Sequence, residues 1–221
     1  KHIVWAWDVV NEAIADGNGG GLRTESNWYK IYGSNEFIIN AFRYANKYAP
    51  KDVILCYNDY NEYETAKMNG ICNLLDAIIA KENDETLPTR IDAMGMQAHA
   101  SVNIPASTIE TAIKNYIAKG LDIHVTELDI ATEVENNQTT LAQRYKEYYN
   151  VYLKNRKTSA KNGVSSVTIW GLRDEDTWLN TQSQMQWHGN VKQYPLLFKG
   201  GKYYCKPAFY SVLEAGQEFT E

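Results

Sequence analysis

Five short apolar runs rich in β-forming residues recur along this chain of 221 residues. They cover residues 3–10, 53–57, 91–96, 121–128 and 166–172. Each run is nearly continuous rather than alternating with polar residues, which is typical of strands buried on both faces. Because helices must cover both faces of such strands, the runs predict a parallel sheet in an α/β fold.

Apolar residues at helical spacing fill the intervals between these runs. The helical patterns cover residues 37–48, 68–79, 105–117, 141–152 and 207–213. Regular alternation of strand and helix predicts right-handed crossovers, and both an open doubly wound sheet and part of a (β/α)8 barrel fit it. The long connections at residues 16–33 and 179–197 both follow strand carboxyl ends, where barrel enzymes build their sites.

Composition excludes several classes of function. The net charge is −5 without a basic cluster, which argues against nucleic-acid binding because that binding depends on neutralised phosphates. No run approaches the roughly 18–20 apolar residues that a membrane span needs, and the first residues have the wrong flanks for a signal peptide. We therefore expect one domain over residues 1–221, with neither nucleic acid nor a membrane as partner.

Cysteines leave the cellular compartment open. Cys56, Cys72 and Cys205 are odd in number and lack the spacing of metal ligands, so at most one disulfide can form. We expect them to be buried core thiols, as free cysteines commonly are.

Polar or aromatic side chains suited to sugar binding follow the carboxyl end of every predicted strand. They are Asn11 and Glu12, Asn58 and Tyr60, Gln97 and His99, Glu127 and Asp129, and Trp170. One such residue alone is more often a cap or turn former. Five strand ends together favour a single functional site at one edge of the sheet.

Two glutamates stand out among these residues. Glu12 and Glu127 follow apolar strand residues, where a buried carboxylate costs several kcal/mol unless it is protonated or well hydrogen-bonded. That arrangement suits a site that needs one acid and one carboxylate. The alternative interpretation is a pair of structural salt bridges.

Strand periodicity adds two geometric expectations. Glu127 and Asp129 are two residues apart and share a face, as do Gln97 and His99, so His99 is expected to bridge the two carboxylates. Asn11 and Glu12 are adjacent, so both can serve one site only where the strand ends or bulges.

Two tryptophans are expected to form a stacking wall at the same site. Trp170 and Trp178 lie eight residues apart on the segment after the last predicted strand. Flat rings stack on the C–H faces of sugars, so the pair favours a carbohydrate ligand.

Five ordered motifs carry a resemblance to a known family. They are WDVVNEA, LCYNDYN, GMQAH, VTELD and WGLRD…TW…PLLF…KPAF. In order and spacing they resemble the family 10 glycoside hydrolases, which are endo-β-1,4-xylanases, over nearly the whole chain. The resemblance implies a TIM (β/α)8 barrel that hydrolyses xylan with retention of anomeric configuration and without a cofactor.

The resemblance also implies roles for single residues. Glu12 matches the general acid/base, and Glu127 matches the nucleophile, so Glu12 is expected to begin protonated and Glu127 ionised. The matching substrate-binding positions are Asn11, Asn58, Tyr60, Gln97, His99, Trp170 and Trp178, and Asp129 matches the residue that supports His99.

One departure concerns the extent of the barrel. WDVVNEA resembles the end of the family's fourth strand, so this chain is expected to supply strands 4 to 8 with their helices. An open remnant would expose strand edges. The sequence therefore predicts a second polypeptide that supplies the first three βα units, from a nicked chain or from a module interrupted by an insertion.

Two alternatives to a retaining endo-xylanase remain. One is another β-1,4-glycanase, and the other is a catalytically inactive xylan-binding fragment. Both glutamates are present, which favours an enzyme. Because polymeric xylan does not cross membranes intact, we expect the protein to act outside the cell or at its surface.

Overall fold

The computed structural model describes residues 3–17, 19–132 and 134–220. They form two compact units. The first comprises residues 1–97, 112–124 and 157–165, and the second comprises residues 98–111, 125–156 and 166–221. The prediction of one domain over residues 1–221 stays a prediction.

A six-stranded sheet contains a strand from each of the five apolar runs. The strands are β1 (Ala6–Asn11), β2 (Ile54–Asp59), β3 (Ala93–Met96), β4 (His99–Ser101), β5 (Asp122–Ala131) and β6 (Val164–Ile169). Their order is β1-β2-β3-β5-β4, and β6 pairs with β5. β1 with β2, β2 with β3, and β4 with β5 pair in parallel, which confirms the predicted parallel sheet.

The third apolar run is interrupted, which corrects one expectation. Ala98 has φ of 58°, so β3 ends at Met96 and a separate short strand begins at His99. A left-handed residue turns the chain and breaks the alternation of faces along a strand. Gln97 and His99 therefore do not share a strand face, and that prediction was wrong.

Each of the five predicted helical patterns forms a helix. The helices are α1 (Asn27–Tyr32), α2 (Glu36–Tyr48), α3 (Thr65–Ile79), α4 (Ala106–Ile117), α5 (Gln138–Lys154), α6 (Gln182–Trp187) and α7 (Pro207–Thr220). The short helices α1 and α6 lie inside the two long connections and were not predicted. Two 3-10 turns (Asp174–Asp176 and Trp178–Asn180) and an antiparallel pair, β7 (Phe198–Lys199) with β8 (Tyr204–Cys205), complete the described elements.

The first unit has its core around β2. Leu55 and Tyr57 are fully buried, as are Phe42 of α2 and Ile71 of α3. The backbone of the connection at residues 16–33 packs closely against α3, where Gly20 approaches Gly70. A Cβ atom added at Gly70 would lie 2.1 Å from the carbonyl oxygen of Gly20. Only glycine fits there, and this contact brings the connection back beside the end of β1.

Strand β1 does not match the expectation of burial on both faces. It lies at the edge of the sheet, and Trp5 and Trp7 are about half exposed, at 54% and 50%. An edge strand pairs on one side alone, so its apolar side chains are only partly covered.

A groove runs along this edge strand, and we call it the β1 groove. It has a volume of about 460 Å³, and β1, α1 and α2 contribute to its walls. Its lining residues are Val9, Val10, Asn11, Glu12, Ala13, Arg23, Ser26, Trp28, Tyr32, Phe37, Asn40, Ala41 and Tyr44. The groove is mainly apolar, and the polar residues Asn11 and Glu12 are part of its lining.

The second unit is organised by buried tyrosines of α5 and by one buried ion pair. The Tyr145 hydroxyl donates to the carbonyl of Pro195 over 2.7 Å. Lys206 is 1% exposed, and its ammonium group lies 2.7 Å from a carboxylate oxygen of Asp174. The other Asp174 oxygen accepts the N–H of Leu196 over 2.8 Å, so this pair fastens the segment after β6.

The cysteines are only partly as expected. Cys56 is buried, Cys72 is half-buried and Cys205 is exposed, and all three are free thiols. Cys205 is exposed because it lies on the two-residue surface strand β8. Among the described residues, no helix combines the length and the apolar character that crossing a membrane requires.

Replacing Lys206 with methionine is expected to lower the free energy of unfolding by about 3–5 kcal/mol, because the buried Asp174 carboxylate loses its counter-ion. Urea denaturation measures the change. The exposed Lys202→Met is the control, with an expected change within about 0.5 kcal/mol. Equal stability of the two variants would show that the ion pair does not fasten this segment.

Candidate active site

The end of β1 brings Asn11 and Glu12 to the same side, although they are adjacent in sequence. The pairing register of β1 shifts between Asp8 and Val10, and Glu12 has φ of 57°. The Asn11 side-chain amide donates to Oε1 of Glu12 over 3.3 Å. Of the two expected alternatives, the strand end is the one found at Asn11, and the irregularity in pairing lies earlier, between Asp8 and Val10.

Amide groups surround the Glu12 carboxyl group in the first unit. Nε2 of Gln97 donates to Oε1 of Glu12 over 3.0 Å and lies 3.1 Å from Oδ1 of Asn11. Asn58 lies opposite Asn11 in the sheet and donates to the same Oδ1 over 3.0 Å. Asn58 and Gln97 are each 2% exposed, so these contacts fix Asn11 and Glu12 from the inner side.

Space for Asn58 depends on the neighbouring strand. Gly95 of β3 pairs with Asn58, and a Cβ atom added at Gly95 would lie 2.4 Å from Oδ1 of Asn58. The glycine in the motif GMQAH therefore leaves room for the asparagine side chain.

Three charged residues that the sequence did not single out surround Tyr60 in the first unit. Tyr60 donates from its hydroxyl to Asp16 and accepts from Arg23 over 3.1 Å. Nε of Arg23 donates to the backbone carbonyl of Glu12 over 3.0 Å. Lys67 of α3 lies 2.8 Å from Asp16. For Asp16 and Arg23, their place in a long connection was the one sequence feature that indicated a functional position. For Lys67 no sequence feature did so, because it lies next to a helical pattern.

The second unit holds Glu127 beside His99 and Asp129. His99 pairs directly with Asp129 across β4 and β5. Its Nδ1 lies 2.8 Å from Oδ1 of Asp129, and its Nε2 lies 3.2 Å from Oε2 of Glu127. The expectation that His99 bridges the two carboxylates is confirmed.

Trp178 extends this cluster. Its indole N–H donates to Oδ2 of Asp129 over 2.7 Å, and its ring centroid lies 4.8 Å from that of His99. Both oxygens of the fully buried Asp129 therefore have a ring nitrogen as partner. Trp170 is 44% exposed, and its backbone N–H donates to Leu128 over 3.0 Å.

Charge in this cluster is set by the histidine. Burial of the imidazole lowers its pKa, but hydrogen bonds to Asp129 and Glu127 outweigh that effect and raise the pKa of His99 from 6.5 to about 9. The ring is therefore a cation at neutral pH, held between two carboxylates.

Each unit thus presents one glutamate in a different environment: Glu12 among neutral amides, and Glu127 beside a cationic imidazole. In the part of the chain that the structure describes, no three His, Cys, Asp or Glu side chains are grouped as metal ligands. The chemistry that these side chains themselves supply is proton transfer and nucleophilic attack by carboxyl groups.

Comparisons with known proteins agree with one another. A family model described as Glycosyl hydrolase family 10 matches residues 1–215. The bifunctional endo-1,4-beta-xylanase XylA of Ruminococcus flavefaciens is 40% identical over 213 residues, which cover 95% of this chain and 19% of that protein. A GH10 structure from Paenibacillus barcinonensis is 33% identical with a TM-score of 0.81, and the match covers 97% of this chain and 62% of that one.

A third comparison is with a protein solved with a bound oligosaccharide. The structure of the endo-1,4-beta-D-xylanase Xyn10B from Clostridium thermocellum, complexed with xylohexaose, is 35% identical with a TM-score of 0.77. The match covers 94% of this chain and 40% of that one. The chain therefore spans less than two thirds of the length of each of these three proteins.

We expect the imidazole of His99 to titrate near pH 9 in NMR spectra of the intact protein. Because this pKa is above 6.5, the ion pairs stabilise the fold fully below about pH 6.5, and that contribution is lost as the pH rises through about 9.

The change from 6.5 to about 9 corresponds to at most about 3 kcal/mol. Asp129→Asn should lower the midpoint of His99. His124, whose pKa burial lowers below 6.5, is the internal reference. A His99 midpoint at or below 6.5 would contradict the assignment.

Proposed function

The chain belongs to glycoside hydrolase family 10, and we propose that the protein containing it is a retaining endo-β-1,4-xylanase. The family's fold is the (β/α)8 barrel, and the parallel α/β sheet of this chain agrees with the predicted fold class. Two findings support xylan as substrate: two of the proteins named above are endo-1,4-beta-xylanases, and one of these two was solved with xylohexaose.

The observation that carries the proposal is the contrast between the two glutamates. Glu12 accepts hydrogen bonds from the neutral amides of Asn11 and Gln97. Glu127 faces the cationic imidazole of His99. Retaining glycosidases use two carboxyl groups in different roles, and we assign the acid/base role to Glu12 and the nucleophilic role to Glu127.

The proposed reaction has two steps. In the first, a Glu127 oxygen attacks the anomeric carbon while Glu12 gives its proton to the leaving glycosidic oxygen, so that a covalent glycosyl-enzyme forms. In the second, Glu12 takes a proton from water, the water oxygen attacks the same carbon, and the Glu127 carboxylate leaves. Two inversions give net retention, which requires the two carboxyl groups about 5–5.5 Å apart.

The other predicted residues have supporting roles in this proposal. Asp129 and Trp178 orient His99, and His99 orients Glu127. The substrate-facing positions are Asn11 for the sugar 2-hydroxyl, Asn58, Tyr60, Gln97 and His99 for other polar contacts, and Trp170 and Trp178 for stacking. The reaction as written uses carboxyl groups and water alone, without a cofactor.

Glu127→Ala and Glu12→Ala should each lower the release of reducing sugar from xylan by at least about a hundredfold, because one removes the nucleophile and the other removes the acid/base. The exposed Glu25→Ala is the control and should keep full activity. NMR of the first product should show the β-anomer.

Three outcomes of this assay would contradict the proposal. Activity that survives Glu127→Ala would contradict the mechanism. Cellulose hydrolysis at a kcat/KM comparable with that for xylan would favour another β-1,4-glycanase. Binding of xylan without any release of reducing sugar by the intact protein would favour the inactive xylan-binding protein.

We propose in addition that a polypeptide segment outside residues 1–221 covers β1 and supplies the first three βα units of the barrel. The extent of the sequence motifs predicts that this segment is a second polypeptide. Three observations support a covering segment: β1 is an edge strand, Trp7 in β1 and Trp5 just before it are half exposed, and the β1 groove beside it is mainly apolar. The greater length of the relatives agrees with this proposal.

Mixing residues 1–221 with the first three βα units of a relative should produce xylanase activity that neither polypeptide has alone. Ala41→Arg, which places a charge in the β1 groove, should lower complementation at least about tenfold because a buried unpaired charge is costly. Leu213→Arg, at an exposed apolar site of α7, is the control.

Residues 1–221 alone could be monomeric in light scattering and also folded and fully active. That result would contradict the covering segment. Mass spectrometry of the native enzyme shows whether the covering segment is a separate polypeptide. Two masses support a separate polypeptide, and one mass that contains both parts contradicts it.

A further inference from the structure

The backbone at Glu12 adopts a conformation that is rare for residues other than glycine. Its φ of 57° lies in the left-handed region, where the Cβ atom of an L-residue crowds the following carbonyl oxygen. Surrounding contacts must therefore hold it there. Its N–H donates to the carbonyl of Asn58 over 2.9 Å, and its carbonyl accepts from Arg23 over 3.0 Å.

A buried tyrosine holds the two residues that follow. The hydroxyl oxygen of Tyr57 accepts the N–H of Ala13 over 3.0 Å and that of Ile14 over 3.2 Å. The hydroxyl proton is donated to Asp59. Burial and the adjacent Asp59 charge raise the pKa of Tyr57 well above 10, so the hydroxyl keeps the proton that it donates.

A buried ion pair anchors this tyrosine in turn. Nζ of Lys67 lies 3.1 Å from Oδ1 of Asp59, and the two side chains are 2% and 0% exposed. The same ammonium group lies 3.4 Å from the centroid of the Tyr60 ring. Lys67, Asp59 and Tyr57 thus form a buried chain of contacts that starts on α3 and ends on the backbone after Glu12; we call it the Tyr57 relay.

We propose that the Tyr57 relay positions the carboxyl group of Glu12 for proton transfer, by holding the left-handed turn that follows β1. Without the turn, the side chains of Asn11 and Glu12 would alternate to opposite faces of the strand. With it, the Glu12 carboxyl group meets the amides of Asn11 and Gln97. The relay residues are positioning residues, and the inference rests on the proposed acid/base role of Glu12.

Packing alone does not account for the relay. A phenylalanine would fill the core at position 57 as well as tyrosine does, but it would leave the N–H groups of Ala13 and Ile14 without the hydroxyl oxygen that accepts them. Burial of the hydroxyl, the Asp59 carboxylate and the Lys67 ammonium group is costly unless each of them is paired. All three polar groups are satisfied, and their contacts converge on the two N–H groups that follow Glu12. The relay therefore fixes the direction of one side chain.

Tyr57→Phe in the intact protein tests the relay, because it removes one oxygen atom and keeps the ring. Two substrates separate positioning from stability. Xylohexaose needs a proton on its leaving group, whereas 2,4-dinitrophenyl β-xylobioside has a leaving group that departs without one. We expect kcat/KM for xylohexaose to fall about tenfold or more, and kcat/KM for the dinitrophenyl substrate to change by less than about twofold.

Two reference variants complete the experiment. Tyr116→Phe removes another fully buried hydroxyl, which donates to the carbonyl of Glu62 over 2.7 Å, and should leave the ratio of the two kcat/KM values unchanged. Glu12→Gln removes the proposed acid itself and should lower that ratio further than Tyr57→Phe does.

The outcomes distinguish the relay from the proposed function. If Glu12→Gln lowers kcat/KM equally for both substrates, the acid/base assignment is wrong, and the inference is overturned with it. A second outcome is that Glu12→Gln changes the ratio of the two kcat/KM values while Tyr57→Phe leaves that ratio unchanged. In that case the relay is overturned and the acid/base assignment stands. The relay is supported if Glu12→Gln and Tyr57→Phe both lower the ratio of kcat/KM for xylohexaose to that for the dinitrophenyl substrate, and Tyr116→Phe does not.

Discussion

Buried carboxylates need a cation or a hydrogen-bond donor, and the arrangement of the strand ends in this chain depends on that requirement. Asp59 at the end of β2 contacts Lys67, Asp129 in β5 contacts His99, and Asp174 after β6 contacts Lys206. All three aspartates are at most 4% exposed. Each pair fixes a segment that carries a residue of the candidate site, so the positions of those residues depend on these buried contacts.

The same requirement separates the environments of the two glutamates. Amides of Asn11 and Gln97 hold Glu12 with neutral donors, and the backbone around it is held in a left-handed turn. Glu127 receives a charged donor, because Asp129 keeps the His99 imidazole protonated. The proposed mechanism gives the acid/base role to Glu12 and the nucleophilic role to Glu127.

Strand β1 places the proposed acid/base at an edge of the sheet. Its neighbour on one side is β2, and the β1 groove lies beside it. Long exposed edges with apolar side chains favour further pairing. The groove and the candidate site meet at Asn11 and Glu12, so a segment that covers this edge would also adjoin the proposed catalytic residue.

Much of this protein was determined by the sequence alone. Continuous apolar runs predicted β1, β2, β3, β5 and β6, and helical spacing predicted α2 to α5 and α7, because these features follow from local periodicity. The spacing of Glu127 and Asp129 placed both carboxylates on one strand face, where His99 bridges them. The five motifs predicted the family, which the family model confirms.

Tertiary structure decided what periodicity does not encode. The break at Ala98, the exposure of β1 and the contacts of Asp16, Arg23 and Lys67 depend on residues that lie far apart in sequence. The turn at Glu12 is the clearest case. Its left-handed backbone is unfavourable by itself and exists because Tyr57, Asp59 and Lys67 meet behind it in the core.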